Sequence, residues 1–177
     1  MRVISGRLSG RQFSSPGSNH THPMSEKIRG ALFSILGDIE GLSVLDPFSG
    51  SGAISIEAAS RGAINIVAID KDKQAYKTIV KSLQSLGLLD LIDVIFGNAI
   101  TWSNAHKDTQ FDIVVLDPPY DKVLYTTLIK LTRHVASSGI LVVSLPGDED
   151  GFSLVGFDKI TRKSYGDAQL AFYRKIS

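Results

Sequence analysis

Asp117-Pro118-Pro119-Tyr120 is the stretch whose residue types most directly prescribe a reaction. Each proline fixes its own φ and restricts the residue before it, so the segment is stiff. The Asp117 side chain and the Pro118 carbonyl become two fixed acceptors. An exocyclic amine on a heterocyclic base is planar, because its lone pair is delocalised into the ring. Two acceptors for its two N–H groups orient it and favour the pyramidal form, whose lone pair can attack a methyl group. Positive charge develops on that nitrogen, and Asp117 stabilises it electrostatically. In-line approach to the methyl donor adds a proximity contribution. Tyr120 offers a ring face on which the base can stack. The bland alternative, a proline-rich loop with a buried tyrosine, gives no reason for four such residues directly after an apolar strand.

Three more segments could hold a ligand. Leu45-Asp46-Pro47-Phe48-Ser49-Gly50-Ser51-Gly52 lies between an apolar run and a helical pattern. Gly50 and Gly52 let the backbone approach a ligand closely. The helix start behind them can receive a carboxylate or phosphate. Asp46 repels a pyrophosphate but attracts an ammonium or sulfonium group. Ser55 stands where a dinucleotide fingerprint would have its third glycine. Asp70 ends the next apolar run, about 20 residues beyond the glycines, where an acid commonly binds a ribose diol. Asp72 is free to cap the following helix in its place. Gly97-Asn98-Ala99 follows a further strand: Asn98 could read an adenine edge and Ala99 leave room for the ring, although a plain turn explains these residues as well.

Short apolar runs alternating with helical patterns must position these residues. The spacing predicts strands at 43–45, 64–69, 93–96, 113–116 and 140–144, and helices at 53–60, 73–86 and 123–135. Such alternation specifies a parallel sheet covered on both faces. The right-handed crossover rule makes it doubly wound. Residues 154–162 and 170–175, joined at Tyr165-Gly166-Asp167, leave no room for a helix and predict an antiparallel pair at a sheet edge. The fold class is thus α/β, a doubly wound, mostly parallel seven-stranded sheet with an antiparallel last strand. Ahead of it, residues 2–8 and 11–13 predict a hairpin turning at Ser9-Gly10, Ser14 to Asn19 a loop, and Ser25 an N-cap for a helix to Leu36. Ile28, Leu32, Ile35 and Leu36 fall on one face of that helix. Residues 1–38 form an appendage to a domain at 39–177.

The composition, 43% hydrophobic and 21% charged over 177 residues, is that of one globular domain. The absence of cysteine excludes a disulfide scaffold and a thiolate zinc site, and no metal site is expected. The opening residues lack the apolar run of a signal peptide, and no stretch approaches the ~20 apolar residues that span a bilayer. A cytoplasmic location and no membrane partner are expected. Residues 1–30 carry a net charge of +4 and the remainder −3. A basic arm on a mildly acidic body points to a polyanion.

With these residues in view, the chain resembles the class I methyltransferases of Rossmann-like fold that carry a (D/N)PP(Y/F) motif. Among them it is similar to the bacterial 16S ribosomal RNA guanine-N2 methyltransferases. The resemblance covers essentially the whole chain. It rests on Arg2 to Arg7 with Gly10-Arg11, on His22 to Phe33, on Asp46 to Gly52, on Asp117 to Tyr120 and on Tyr165-Gly166-Asp167.

The resemblance implies S-adenosylmethionine as cofactor, held by Asp46, Phe48, Ser49, Gly50, Ser51, Gly52, Asp70, Lys71, Asn98, Ala99 and Asp117. It implies that Asp117, Pro118 and Tyr120 address a base flipped from its stack. It implies that Arg2, Arg7, Arg11, His22 and Arg29 contact the RNA of the small ribosomal subunit. The protein is expected to act as a monomer. The family usually has Arg and Thr where this chain has His22 and Met24, which weakens one cationic contact and removes a hydroxyl near the active-site mouth.

Other readings differ in what they would require. A DNA adenine-N6 or cytosine-N4 methyltransferase needs a target-recognition insertion, and no stretch here is long enough for one. A protein glutamine-N5 methyltransferase usually has Asn at the position of Asp117. A non-catalytic RNA-binding or ribosome-assembly module has no need for the tetrapeptide, Asp70 and the glycine loop together.

Overall fold

The computed structural model describes residues 1–16, 24–120, 125–147 and 154–176. In chain order the elements are α1 (Glu26–Leu36), β1 (Ser43–Asp46), α2 (Ala53–Ser60), β2 (Ile64–Asp70), α3 (Lys73–Leu86), β3 (Ile92–Phe96), α4 (Ala99–Ala105), β4 (Phe111–Leu116), α5 (Tyr125–Leu131), a 3-10 turn (Thr132–His134), β5 (Val135–Pro146), β6 (Phe157–Tyr165) and β7 (Ala168–Lys175). They build a seven-stranded sheet in the order β3-β2-β1-β4-β5-β7-β6. β1 to β5 are parallel. β7 runs antiparallel to both β5 and β6. The α/β class, the doubly wound sheet and the antiparallel end are as the sequence predicts.

Alternation along the strands divides the core between the two faces. Ile113 and Val115 of β4 join Val44, Ile66, Val142 and Phe172 on one face, beneath Leu32 and Phe33 of α1, Ile56 of α2 and Ile79 and Leu83 of α3. Val114 and Leu116 turn to the other face with Leu45, Ile69, Leu141 and Val143, beneath Trp102 of α4 and Leu128 of α5. Truncating such a side chain, as in Leu83→Ala, typically costs about 2–5 kcal/mol. Val3, Phe13 and Met24 lie in the first of these cores, so the basic arm is packed against the sheet domain rather than tethered to it.

Helix ends follow local chemistry. Ser25 caps α1 by accepting from Ile28 N, and Asp72 caps α3 by accepting from Ala75 N. α3 stops at Gly87, which is in the left-handed conformation.

Three expectations are corrected. The hairpin of residues 2–8 and 11–13 shrinks to the single antiparallel bridge Arg2↔Gln12, because the amides of Ile4 and Ser5 bond Glu57 instead. A helix, α4, occupies 99–105 where none is expected. The helix expected at 123–135 is described only from Tyr125 to Leu131, and Val135 already belongs to β5, paired with Phe111. The apolar face of α1 is as expected, with Leu32 in the core and Ile28, Ile35 and Leu36 packed against it, and Arg29 and Phe33 are buried there too. Among the described residues, no helix is long and apolar enough to cross a membrane.

Candidate active site

Three carboxylates converge where β1, β2 and β4 end. Asp46 closes β1 and is fully buried. Its Oδ2 accepts from Ser55 Oγ at 2.7 Å, whereas Oδ1 is buried with no hydrogen-bond partner. Burial pushes the Asp46 carboxyl up to about 7; the Ser55 bond opposes this, and the nearby charges of Asp117 and Asp70 reinforce it. A buried acceptor without a donor, among like charges, is an arrangement that a cationic ligand would relieve. Ser55, at the place of the missing third glycine, is the hydroxyl that orients Asp46, a role no local pattern announces.

The glycine loop is tied to the sheet from several sides. Ser49 donates both its N–H and its Oγ to Ile69 O, at 3.0 and 3.1 Å. Gly50 N donates to Asp70 Oδ2 at 2.7 Å. Gly52 caps α2 at φ +74, a conformation that favours glycine, and a Cβ there would press on the Ile79 side chain at 3.2 Å. Ser49 and Ser51 are buried, and Phe48 is half-buried against the second core. Their side chains thus shape the loop, while its backbone forms the wall of the site.

Asp70 also accepts from Asp72 N through Oδ1 at 2.8 Å, and Asp72 caps α3, as expected. Each Asp70 oxygen therefore has one lone pair engaged by backbone and another available. Lys71 is exposed beside it. Asn98 is reinterpreted: its Oδ1 accepts from Ile100 N and Thr101 N, making it the N-cap of α4. Its side-chain carbonyl is committed to the helix, which leaves its NH2 as the group that could meet a ligand. Ala99, expected to leave room for an adenine, is the buried first residue of α4 and packs into the second core.

At the end of β4, Asp117 is partly buried, Pro118 is buried and Tyr120 is exposed. Tyr120 Oη shares a 2.6 Å hydrogen bond with Ser144 Oγ on the neighbouring β5. The ring is thereby pinned at its tip with 39% of the residue exposed, as a stacking platform requires. Burial pushes the Asp117 carboxyl up to about 6, against a hydrogen bond from Ser144 that favours the ionised form. Burial also raises the Tyr120 phenol, the Ser144 bond again opposing. Ser144 thus links the two functional side chains of the tetrapeptide. It lies more than twenty residues away in the sequence, inside an apolar strand, with no signal to mark it.

The basic arm is anchored by a buried carboxylate that the sequence did not single out. All eight residues of α2 are buried. Its Glu57 accepts from Ile4 N at 2.8 Å, Ser5 N at 3.0 Å and Arg61 Nε at 2.9 Å. Ser60 Oγ donates to Ser5 O and accepts from Leu8 N. Gly6 passes so close that a Cβ would stand 1.9 Å from Ser60 O.

Arg29, expected on the RNA, is fully buried; it faces Glu57 with Nε 3.7 Å from the carboxylate and donates to Arg2 O. Burial lowers its pKa, with the Glu57 charge opposing. It is an internal tie of the arm, a correction with a clear cause: its counter-ion is inside the domain. Arg2 pairs with Glu26 at the surface, Arg7 is exposed, and exposed Arg11 reaches Ser85 O. Met24 fills the first core, so its replacement of Thr is a packing change. His22 lies outside the described residues.

Residues 1–174 match the family described as conserved hypothetical protein 95. The chain is 31% identical to the candidate rRNA methyltransferase YlbH of Bacillus subtilis, over 99% of both chains. It is 32% identical over 133 residues to ribosomal RNA small subunit methyltransferase D of Buchnera aphidicola, covering 75% of this chain and 69% of that one. Among solved structures, a candidate methyltransferase of Escherichia coli, YhhF, superposes with a TM-score of 0.87 at 27% identity, over 100% of this chain and 98% of its own.

Proposed function

The chain belongs to the family described as conserved hypothetical protein 95, and from that premise we propose that it methylates the exocyclic N2 amine of a guanine in small-subunit ribosomal RNA, using S-adenosylmethionine. It is an RNA methyltransferase akin to ribosomal RNA small subunit methyltransferase D. The observation that carries the reading is that Ser144 bonds both Asp117 and Tyr120, next to the carboxylates of Asp46 and Asp70.

The residues present fit the cofactor. Asp46 Oδ1 is a buried acceptor without a donor, and Asp46, Asp70 and Asp117 together supply the negative field that suits a ligand carrying an ammonium and a sulfonium group. The glycine loop and Asp70 would hold it, with Asp70 on the ribose hydroxyls. When bound, it supplies an electrophilic methyl on a sulfonium. Lys71, Asn98 through its NH2 and Ala99 through its backbone would border its adenosine half.

The chain's own residues do the rest. Tyr120 stacks on the extracted guanine. Asp117 accepts one amine N–H and the Pro118 carbonyl the other, turning the nitrogen lone pair away from the ring system. Asp117 then lies beside the nitrogen as its positive charge grows, in a site whose partial burial strengthens the interaction. The appendage of residues 1–38 serves as the RNA-binding unit of the 39–177 domain, with Arg2, Arg7 and Arg11 on phosphates.

The test is transfer from labelled cofactor to small ribosomal subunits that lack their native guanine methylation, with nucleoside analysis. N2-methylguanosine is expected, and Asp117→Ala should abolish it while the thermal unfolding curve stays cooperative. Label in a different nucleoside, or near-normal turnover by the variant, would refute the assignment.

A further inference from the structure

We propose that the cleft between the N-terminal arm and α3 is a phosphodiester-binding site that holds substrate RNA backbone flanking the target base. This rests on the RNA-methyltransferase reading and adds a second contact region to it. Lys73, Lys77 and Lys81 stand four residues apart on α3, all exposed. Four residues of helix rise ~6 Å and turn little beyond one revolution, so the three amines form one row. The helix contains no Asp or Glu, and none of the three lysines forms an ion pair among the described residues. Lys73 occupies the first turn, where the helix dipole disfavours a cation. A row of like charges at such a place repels itself and adds nothing to the fold. Its electrostatic complement is a row of anions.

The arm supplies the facing wall. A cleft of about 220 Å³ is lined by Ser14, Ser15, Gln74, Lys77, Thr78 and Lys81. Every lining side chain except Thr78, whose hydroxyl donates to Gln74 O, can donate a hydrogen bond into the cleft, and no carboxylate is among them. Arg11 crosses from the arm to Ser85 O at 3.4 Å and adds positive charge at the far end of α3. The near end, Lys73, adjoins Asp72 and Asp70 at the rim of the cofactor site. The track therefore leads away from the reacting centre along the helix. Contacts of this kind set register and orientation without reading sequence.

The test is the double variant Lys77→Gln plus Lys81→Gln, with Lys159→Gln plus Lys163→Gln on exposed positions of β6 as the charge-matched control. Binding of a fluorescent small-subunit RNA fragment is titrated across about 50 to 200 mM salt, where each neutralised phosphate contributes roughly 0.7–0.9 to the log–log slope. The cleft variant should lose about 1.4–1.8 of that slope. In methyl transfer it should raise KM for RNA with kcat and cofactor affinity unchanged. An unchanged slope, or an equal loss in the β6 control, overturns the cleft. If the wild type binds RNA but methylates no guanine in the small subunit, the functional reading falls, while the slope comparison still decides the cleft.

Discussion

Asp46→Asn is expected to stabilise the free protein increasingly as pH rises, while removing its affinity for cofactor. Asp46 is fully buried, and its folded-state carboxyl is raised to about 7 from an ordinary 3.8. A raised carboxyl means that the folded state holds a proton that the unfolded chain has already released. The stability it contributes is intact below about pH 4 and is lost as pH climbs toward 7. The full difference corresponds to roughly 4 kcal/mol, at about 1.4 kcal/mol per pH unit. Between about pH 5 and pH 8 the linkage integral gives roughly 2–3 kcal/mol. Asparagine keeps an acceptor for Ser55 and does not titrate. It leaves a buried NH2 where Oδ1 had no partner, but that cost is the same at every pH and cancels from the comparison. Urea unfolding of both proteins at the two pH values reads the effect directly. The stability difference, variant minus wild type, should grow by roughly 2–3 kcal/mol from the lower pH to the higher. A difference that does not move with pH refutes the idea that Asp46 is held against its own charge. Adding S-adenosylmethionine should raise the wild-type melting temperature and leave the variant's unchanged.

Three other outcomes follow from the same geometry. For kcat/KM, activity should fall as pH drops through the region of 6 to 7, because protonated Asp117 and Asp46 no longer accept or attract, and a flat rate profile from pH 5 to 8 would contradict this. Ser144→Ala frees the Tyr120 tip and withdraws a bond that favours ionised Asp117. It should raise KM for RNA several-fold and shift the acid limb of the rate profile to higher pH, with cofactor affinity retained by calorimetry. Glu57→Ala strands buried Arg29 and two arm amides, so chemical denaturation should report a loss of about 3–5 kcal/mol.

The sequence made legible what neighbouring residues decide. α2 and α3 have their expected ends because Gly52, Asp72 and Gly87 terminate them locally. The strands of the parallel sheet were visible as apolar runs, and their carboxyl ends brought Asp46, Asp70 and Asp117 together as the topology requires. α4 escaped notice because it has only seven residues, and its marker, the capping Asn98, suited a ligand equally well. Arg29 reads in the sequence as an outward charge because the carboxylate that draws it inward lies 28 positions further along. Ser55 and Ser144 are small hydroxyls within buried elements, and only contact with Asp46 and Tyr120 gives them a role. Such pairings are set by tertiary packing, to which a local pattern has no access.

The placement of β7 bears on how the protein is born. β7 follows β6 in the chain, yet it lies between β5 and β6, with its first six residues buried. A nascent chain can close β1 to β5 early, but the edge of β5 stays unpaired until residues 168–175 have left the ribosomal tunnel. Until then, hydrogen-bonding groups and apolar side chains of β5 stay uncovered, and open edges invite aggregation. Native packing must therefore wait until residues 168–175 are free to pair with β5. A chain that stops before Ala168 lacks the partner of β5 and is expected to aggregate, although every residue of the candidate active site would already have been made.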